Sequence, residues 1–415
     1  MAVKNRFAEL HDDITAWRRD LHENPEILFE THRTSGIVAE KLRAFGCDEV
    51  VEGIGRTGVV GVIKGKETGS GKVIGLRADM DALPINEQTG LEYASKTPDA
   101  MHACGHDGHT AMLLGAAQYL AETRNFDGTV VVIFQPAEEG GGGGREMCED
   151  GMMDRWGIQE VYGMHNWPGM PTGSFGIRPG SFFAATDQFD ITFEGRGGHA
   201  AKPHETIDTT VMAAQAVLAL QTIAARNADP VEQIVVSVTA FETSSKAFNV
   251  IPQRVQMKGT VRTMSADVRS LAEKRINEIC NGIAATFGGK ADVTYHRGYP
   301  VMVNHEEQTE FAADVARSIS GDCSEAPWSW AARILPLCSK NAPVLIFWWA
   351  TAIPQRCITP NTTSTMKLSR RVAAGGRGSS SNGCQRHNSL THELNAPPSG
   401  GAFSIGAQPR SQSAL

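Results

Sequence analysis

The chain has 415 residues, 41% hydrophobic and 20% charged, with a formal net charge of −7. That length exceeds one ordinary core and calls for two domains, and the lack of any apolar run of 18 or more residues argues against a membrane span. The charge is unevenly spread. Residues 328–415 carry nine Lys or Arg against one acid, Glu393, so residues 1–327 hold 30 basic and 45 acidic residues, a balance of −15 that argues against a nucleic-acid partner.

The N-terminal stretch "MAVKNRFAELHDD" is charged and lacks an apolar signal core, which points to the cytoplasm. Eight scattered cysteines form no short paired framework, so reduced thiols are expected. Phe7, Leu10, Ile14, Trp17 and Leu21 recur at helical spacing over residues 6–23. A second helix is predicted over 31–45, stopped by Gly46. Short β-rich runs follow at 57–65 and 72–81, then a helix at 109–124 and a buried strand at 128–139. Strands alternating with helices predict an α/β fold with a mostly parallel sheet covered on both faces. Chemical groups then belong at the carboxyl ends of strands. Asp79, Asp81, Glu138, Glu139 and, after "EVYGM", His165 all fall there.

From 186 to 298 the rhythm changes. "TDQFDITFEG" alternates as a strand. "TIDTTVMAAQAVLALQTIAAR" is a long amphipathic helix with an Asp near its first turn. Two more strands and the helix "DVRSLAEKRINEICNGIAATFG" follow. This order predicts a small α+β domain with a four-stranded antiparallel sheet. It interrupts a first domain of residues 1–185, which resumes at 299–327.

Several residues carry chemical potential. Cys104 and His106 flank one glycine, and a thiolate beside an imidazole suits zinc, manganese or cobalt. A lone C-x-H also reads as a buried cysteine beside a helix-capping histidine. Glu138 and Glu139 precede a glycine run, and two carboxylates there are costly to bury without a cation. One can ligate while the other acts as general base on water. A solvated acidic loop is the plainer alternative. His165 in "GMHNWPG" adds another ligand type, although a single histidine there is usually structural. The four features together favour a metal site. His109 is expected to pack against or cap the following helix.

The stretches "LRADMDALPI", "MHACGHDGHTAMLLGAA", "FQPAEEGGGG", "GMHNWPG", "GRGGHAAKPH", "AFNVIP" and "GTVRTM" occur in this order. Together they resemble the amidohydrolase group of two-metal aminopeptidase-like hydrolases, which includes hippurate hydrolases, N-acyl-amino-acid deacylases and indole-acetyl-amino-acid hydrolases. The resemblance covers residues 6–327. It implies that Cys104, His106, Glu139 and His165 ligate one or two divalent ions, manganese or zinc with cobalt as a further option. It implies that Glu138 is the general base and acid, and that Asp81 steadies the ligands. Related peptidases with an H-x-D pattern have a ligand histidine where Asp79 stands. His199, Asn249 and Arg262, in the inserted domain, would hold the substrate's carbonyl oxygen and carboxylate, some of them across a dimer interface. The implied activity is hydrolysis of the amide bond of small N-acyl amino acids by a homodimer joined through the inserted domain. Two alternatives stand beside it: a folded non-catalytic relic or binding protein, and a thiol hydrolase using Cys104.

The C-terminus departs from this group. The group carries a G-G-E-D-F motif and then an L-H-x-P motif whose histidine is a further ligand; residues 328–415 contain neither. Four of the seven tryptophans crowd into this segment. Reading each codon's third base with the first two of the next allows L-V-M-G-G-E-D-F from Pro327 onward. The same shift forces Val then Gly from Trp348 and Trp349, allows L-H-H-P-E-Y across "RCITPN", and allows L-V-E and a stop across "GSSSN". A lost base near the Pro327 codon therefore accounts for an out-of-frame tail, expected to be disordered from about 370, with a divergent interaction segment as the alternative. The expected consequences are poor stability and weak activity of this chain.

Overall fold

The computed structural model describes residues 2–327 and 344–351. The first predicted helix is realised as α1 (Ala2–Glu9) and α2 (His11–Glu23), jointed at Leu10. Phe7, Leu10 and Ile14 still bury together with Tyr119, so the apolar stripe survives the joint. α3 (His32–Ala44) follows, and then β1 (Glu49–Ile54), β2 (Gly58–Lys64) and β3 (Val73–Asp79). α4 (His106–Thr123) begins three residues before the expected start and leads to β4 (Thr129–Gln135). α5 (Gly143–Glu149) and α6 (Met152–Trp156) precede β5 (Glu160–Pro168), β6 (Phe175–Ile177) and β7 (Gly180–Phe183). The expected strand before His165 runs on through that residue.

β8 (Ala185–Glu194) opens the insert. It continues through β9 (Gly198–His199), α7 (Thr209–Thr222), β10 (Ile234–Thr243), β11 (Val250–Ile251), β12 (Arg254–Thr263), α8 (Ala266–Phe287) and β13 (Lys290–Arg297). The chain returns through β14 (Met302–Asn304), α9 (Glu306–Ser320), β15 (Ser324–Glu325) and β16 (Val344–Thr351).

The larger sheet has the order β1-β2-β4-β3-β5-β16-β6-β15. Its centre, β4-β3-β5-β16, is parallel. The pairs β1–β2, β2–β4 and β16–β6 are antiparallel, so the sheet is mixed. Side chains alternate across it, as a period of two requires. Val131 and Ile133 of β4 pack with Met147, Met152 and Met153 on one face. Val130, Val132 and Phe134 pack on the other with Val38 and Leu42 of α3 and Leu113 and Leu114 of α4. Helices thus cover both faces of an α/β sheet.

The insert has its own antiparallel sheet, β10-β12-β8-β13, and its own core. Phe189, Ile191 and Phe193 alternate along β8 onto Met212 and Leu220 of α7 and Ile276 and Cys280 of α8. Asp208 caps α7, its side chain accepting the Thr210 N–H at 2.8 Å and the Val211 N–H at 3.3 Å.

Most of the C-terminal tail, including the expected disorder from about 370, lies outside the described residues. Within the tail, β16 adds a strand to the large sheet, pairing in parallel with β5 from Val344↔Val161 to Thr351↔Pro168. The run "VLIFWWAT" is rich in β-branched and aromatic residues, and ladder hydrogen bonds are made by backbone whatever the reading frame. Cys47, Cys104, Cys280 and Cys323 are free thiols, whereas Cys148 is disulfide-bonded, against the expected reduced state.

Candidate metal centre

The site is built from chain segments that leave the parallel strands. Asp81 lies two residues beyond β3 and is buried. After β4 the backbone turns through Ala137 at φ +48°, a conformation uncommon for a residue with a Cβ. Beyond this turn the N–H groups of Glu138 and Glu139 donate to the two oxygens of Asp81, at 2.9 and 3.0 Å. One carboxylate therefore fixes the start of both glutamates. The loop carrying Cys104 closes through Gly105, at φ +88°. A Cβ there would lie 2.7 Å from Asn166 Oδ1, so the close approach to β5 requires glycine.

His106 is the first residue of α4. Its Nδ1 lies 2.8 Å from the carbonyl oxygen of Asp81. A carbonyl only accepts, so Nδ1 carries a proton, and in the neutral ring Nε2 presents a lone pair. The same logic orients His165, whose Nδ1 is 2.6 Å from the Asn166 carbonyl oxygen. Its Nε2 is 3.5 Å from Cys104 Sγ. His106 Nε2 is 3.7 Å from Glu139 Oε1 and 3.9 Å from Glu138 Oε2. Backbone carbonyls holding the far nitrogen of each ring are the usual support for metal-ligating histidines.

These residues fit a divalent cation. His106 Nε2 and Glu139 Oε1 are both buried without a hydrogen-bond partner, which is costly for polar atoms with no further role. Two ligands about 2.1 Å from one tetrahedral ion stand about 3.4 Å apart, close to the observed 3.7 Å. Cys104, His106 and His165 form one group with donors within 4.8 Å of one another, and His106, Glu138 and Glu139 form another. The mixed thiolate, imidazole and carboxylate set suits zinc or manganese.

Sequence reasoning missed part of this centre. His109 does not cap α4; its Nδ1 is 2.6 Å from Asp79 Oδ1 and its Nε2 is 2.5 Å from Asn166 Oδ1. Asp79, His106 and His109 form a third candidate ligand group. Arg77 Nη1 also donates to Asp79, at 2.7 Å. Burial works to raise the Asp79 carboxyl, but the charges of Arg77, His106 and His109 hold it well below the usual carboxylate range. The available signal was the i,i+3 spacing of His106 and His109, which places both rings on one helix face. A second missed network lies behind it. Arg18 Nε and His22 Nδ1 approach the same oxygen of Asp107, at 2.6 and 2.8 Å, tying α2 to the first turn of α4. Burial works to raise the Asp107 carboxyl too, yet Arg18 and His22 hold it well below the ordinary range.

The insert contributes unequally. Arg262 of β12 lines a cavity of about 400 Å³ that also meets Glu138 and Glu139. Burial lowers the pKa of its guanidinium, and among the described residues it makes no ion pair. His199 and Asn249 sit together where β9 pairs with β11, the Asn249 carbonyl accepting the Ala200 N–H at 2.9 Å. Both are exposed, and neither lines that cavity.

A covered α/β sheet, an inserted antiparallel domain and a Cys–His–Glu–His cluster, its histidines buried and its cysteine and glutamate partly so, with a neighbouring glutamate, define a peptidase-like metallohydrolase. The family model "Peptidase family M20/M25/M40" matches residues 75–350, and the chain belongs to that family as one of its metal-dependent amidohydrolases. It is 43% identical to the hippurate hydrolase of Campylobacter jejuni over 76% of this chain and 81% of that protein. It is 41% identical to the N-acyl-L-amino acid amidohydrolase of Geobacillus stearothermophilus over 74% and 81%. Among solved structures it resembles the YXEP protein of Bacillus subtilis, described as a dinuclear metal-binding peptidase of the M20 family, with a TM-score of 0.78, 33% identity and coverage of 89% and 97%.

Proposed function

We propose that the chain hydrolyses the amide bond of small N-acyl amino acids in the cytoplasm, with Cys104, His106, Glu139 and His165 as ligands to one or two divalent ions, manganese or zinc. The observation that carries this reading is the buried, unpartnered pair of His106 Nε2 and Glu139 Oε1. When bound, such an ion lowers the pKa of water and polarises the amide carbonyl. Glu138, the neighbour of the ligand Glu139, takes the proton from the attacking water and delivers it to the leaving nitrogen. Asp81 holds the amides of both glutamates, so base and ligand keep a fixed spacing. Arg262, lacking an ion pair in the cavity wall, receives the substrate carboxylate.

His199 and Asn249 reach a site only when a second copy is present, which fits a homodimer joined through the insert. Phe248 is fully exposed beside Asn249, and Leu218 on α7 is 72% exposed, so the insert presents apolar surface for a partner copy. Sedimentation of the purified chain tests this; a monomer at micromolar concentration removes the role assigned to His199 and Asn249.

The L-H-x-P histidine is absent from this chain, so we infer low turnover, with the out-of-frame tail as the cause. Hydrolysis of hippurate and N-acetyl amino acids, with and without manganese or zinc, is the deciding assay. Loss with a chelator and recovery with metal supports the reading. Indifference to chelator, with full inhibition by a thiol alkylator, supports a Cys104 nucleophile instead. Metal binding with no hydrolysis of any N-acyl amino acid supports a non-catalytic relic. Efficient turnover by this 415-residue chain removes the claim of impairment.

A further inference from the structure

The cavity beside Glu138 and Glu139 has an unusual lining. Among the described residues it has no Leu, Ile, Val, Met, Phe or Trp on its wall; glycines and polar side chains make it up. Ligand pockets are ordinarily dominated by apolar and aromatic groups, so a wall of this kind selects a polar occupant. Three arginines face it: Arg145 from α5, and Arg262 and Arg297 from the insert. Their pairing differs. Arg297 is neutralised by Glu273, at 2.5 Å. Among the described residues, Arg262 donates only to Thr260 Oγ1 and the Val261 carbonyl oxygen. Arg145 approaches one carboxylate, the exposed Glu149 one turn along α5, at the long distance of 3.9 Å. Its guanidinium lies over Gly142, where an added Cβ would come within 3.0 Å of Nη2. The N–H of Gly142 in turn donates to the Tyr299 hydroxyl at 2.9 Å, on the same cavity wall. Among the described residues the cavity therefore keeps two guanidiniums without a close carboxylate, one from each side, neither of them ion-paired with Glu138 or Glu139 on the same wall. A simple N-acyl amino acid supplies only one carboxylate.

We propose that Arg145 binds a second carboxylate, so that the site takes dicarboxylic N-acyl amino acids, the second acid lying either in the amino-acid side chain or in the acyl group. This rests on the amidohydrolase reading, with Arg262 receiving the α-carboxylate. A planar guanidinium matches a carboxylate bidentately, which Lys does less well and a neutral side chain not at all.

Direct binding tests this without requiring turnover. Two near-isosteric pairs serve as probes for the metal-loaded full chain: N-acetylglutamate against N-acetylglutamine, and N-succinylglycine against N-butanoylglycine. The expected result is at least a tenfold preference for the dicarboxylate in one pair, and the pair that shows it identifies where the second acid lies. In Arg145→Met that preference falls to about one, and in Arg145→Lys it is partly kept, with thermal unfolding unchanged in both. Equal binding within both pairs, no binding by any probe, or a preference that survives Arg145→Met overturns the proposal. Hydrolysis of N-acetylmethionine, which has no second carboxylate, reports on the amidohydrolase reading separately.

Discussion

The Asp81 carboxylate accepts the backbone N–H of Glu138 at 2.9 Å while its other oxygen accepts that of Glu139. A residue that touches no substrate thus sets the spacing between a proposed base and its neighbouring ligand. Asp81→Asn turns one acceptor into a donor facing an N–H. The expected outcome is a 10- to 100-fold loss of metal affinity, measured by competition with a chelating dye. Unchanged affinity would show that the glutamate loop is held by its backbone alone.

Glu138→Gln keeps the shape and removes the basic oxygen. The turnover number should fall by about 10²–10⁴ while metal content stays at the parent level. Metal analysis alongside the assay separates this from Glu139→Gln, which should lose metal as well as activity.

Metal removal should destabilise the chain. An ion that binds only the folded state adds about 2.7 kcal/mol at a hundredfold excess over its dissociation constant. Thermal unfolding should therefore shift to lower temperature with a chelator and return on adding zinc or manganese. A melting temperature indifferent to both would argue against an ion held by Cys104, His106, Glu139 and His165.

The insert depends on one buried acid. Asp187 receives Arg269 Nε at 2.9 Å, the Tyr295 hydroxyl at 2.7 Å and the Gly298 N–H at 2.9 Å. Asp187→Ala strands a buried guanidinium and should cost about 3–5 kcal/mol in denaturant unfolding. A loss below about 1 kcal/mol would mean that water reaches Arg269.

His102 is buried with neither ring nitrogen hydrogen-bonded, and burial pushes its pKa down from 6.5 to about 4. Between those values the unfolded chain binds a proton at this ring and the folded chain does not. Stability of the metal-free protein therefore rises with pH across that window, and falls by up to about 3 kcal/mol as pH drops from 6.5 to 4. His102→Leu should flatten that part of the profile in urea titrations at stepped pH. An equally steep profile in the variant would assign the slope to other groups.

Local chemistry was readable along the chain. Apolar spacing marked α2, α3, α7 and α8, and the capping Asp208 lay close to the start of its helix, because these features depend on residues three or four apart. The Cys104–His106 and Glu138–Glu139 stretches stood out because thiol, imidazole and paired carboxylates are costly to bury idle. Arg18 and His22 did not stand out, and the pairing of Asp79 with His109 was not foreseen. Each gains its role from a partner 30 to 89 positions away. The joint at Leu10 and the strand at 344–351 were likewise settled by packing and ladder pairing.

The sequence by itself determined the family, through its ordered motifs, the alternation of strands and helices, and most of the donors able to hold a cation, since these follow from residue type and short-range spacing. Only the tertiary structure decided which donors face one another, that Asp81 aligns the glutamate pair, and that Arg145 and Arg262 share a cavity. Those relations come from the order of strands in a sheet and the closure of loops at its edge, and they join residues far apart in the chain.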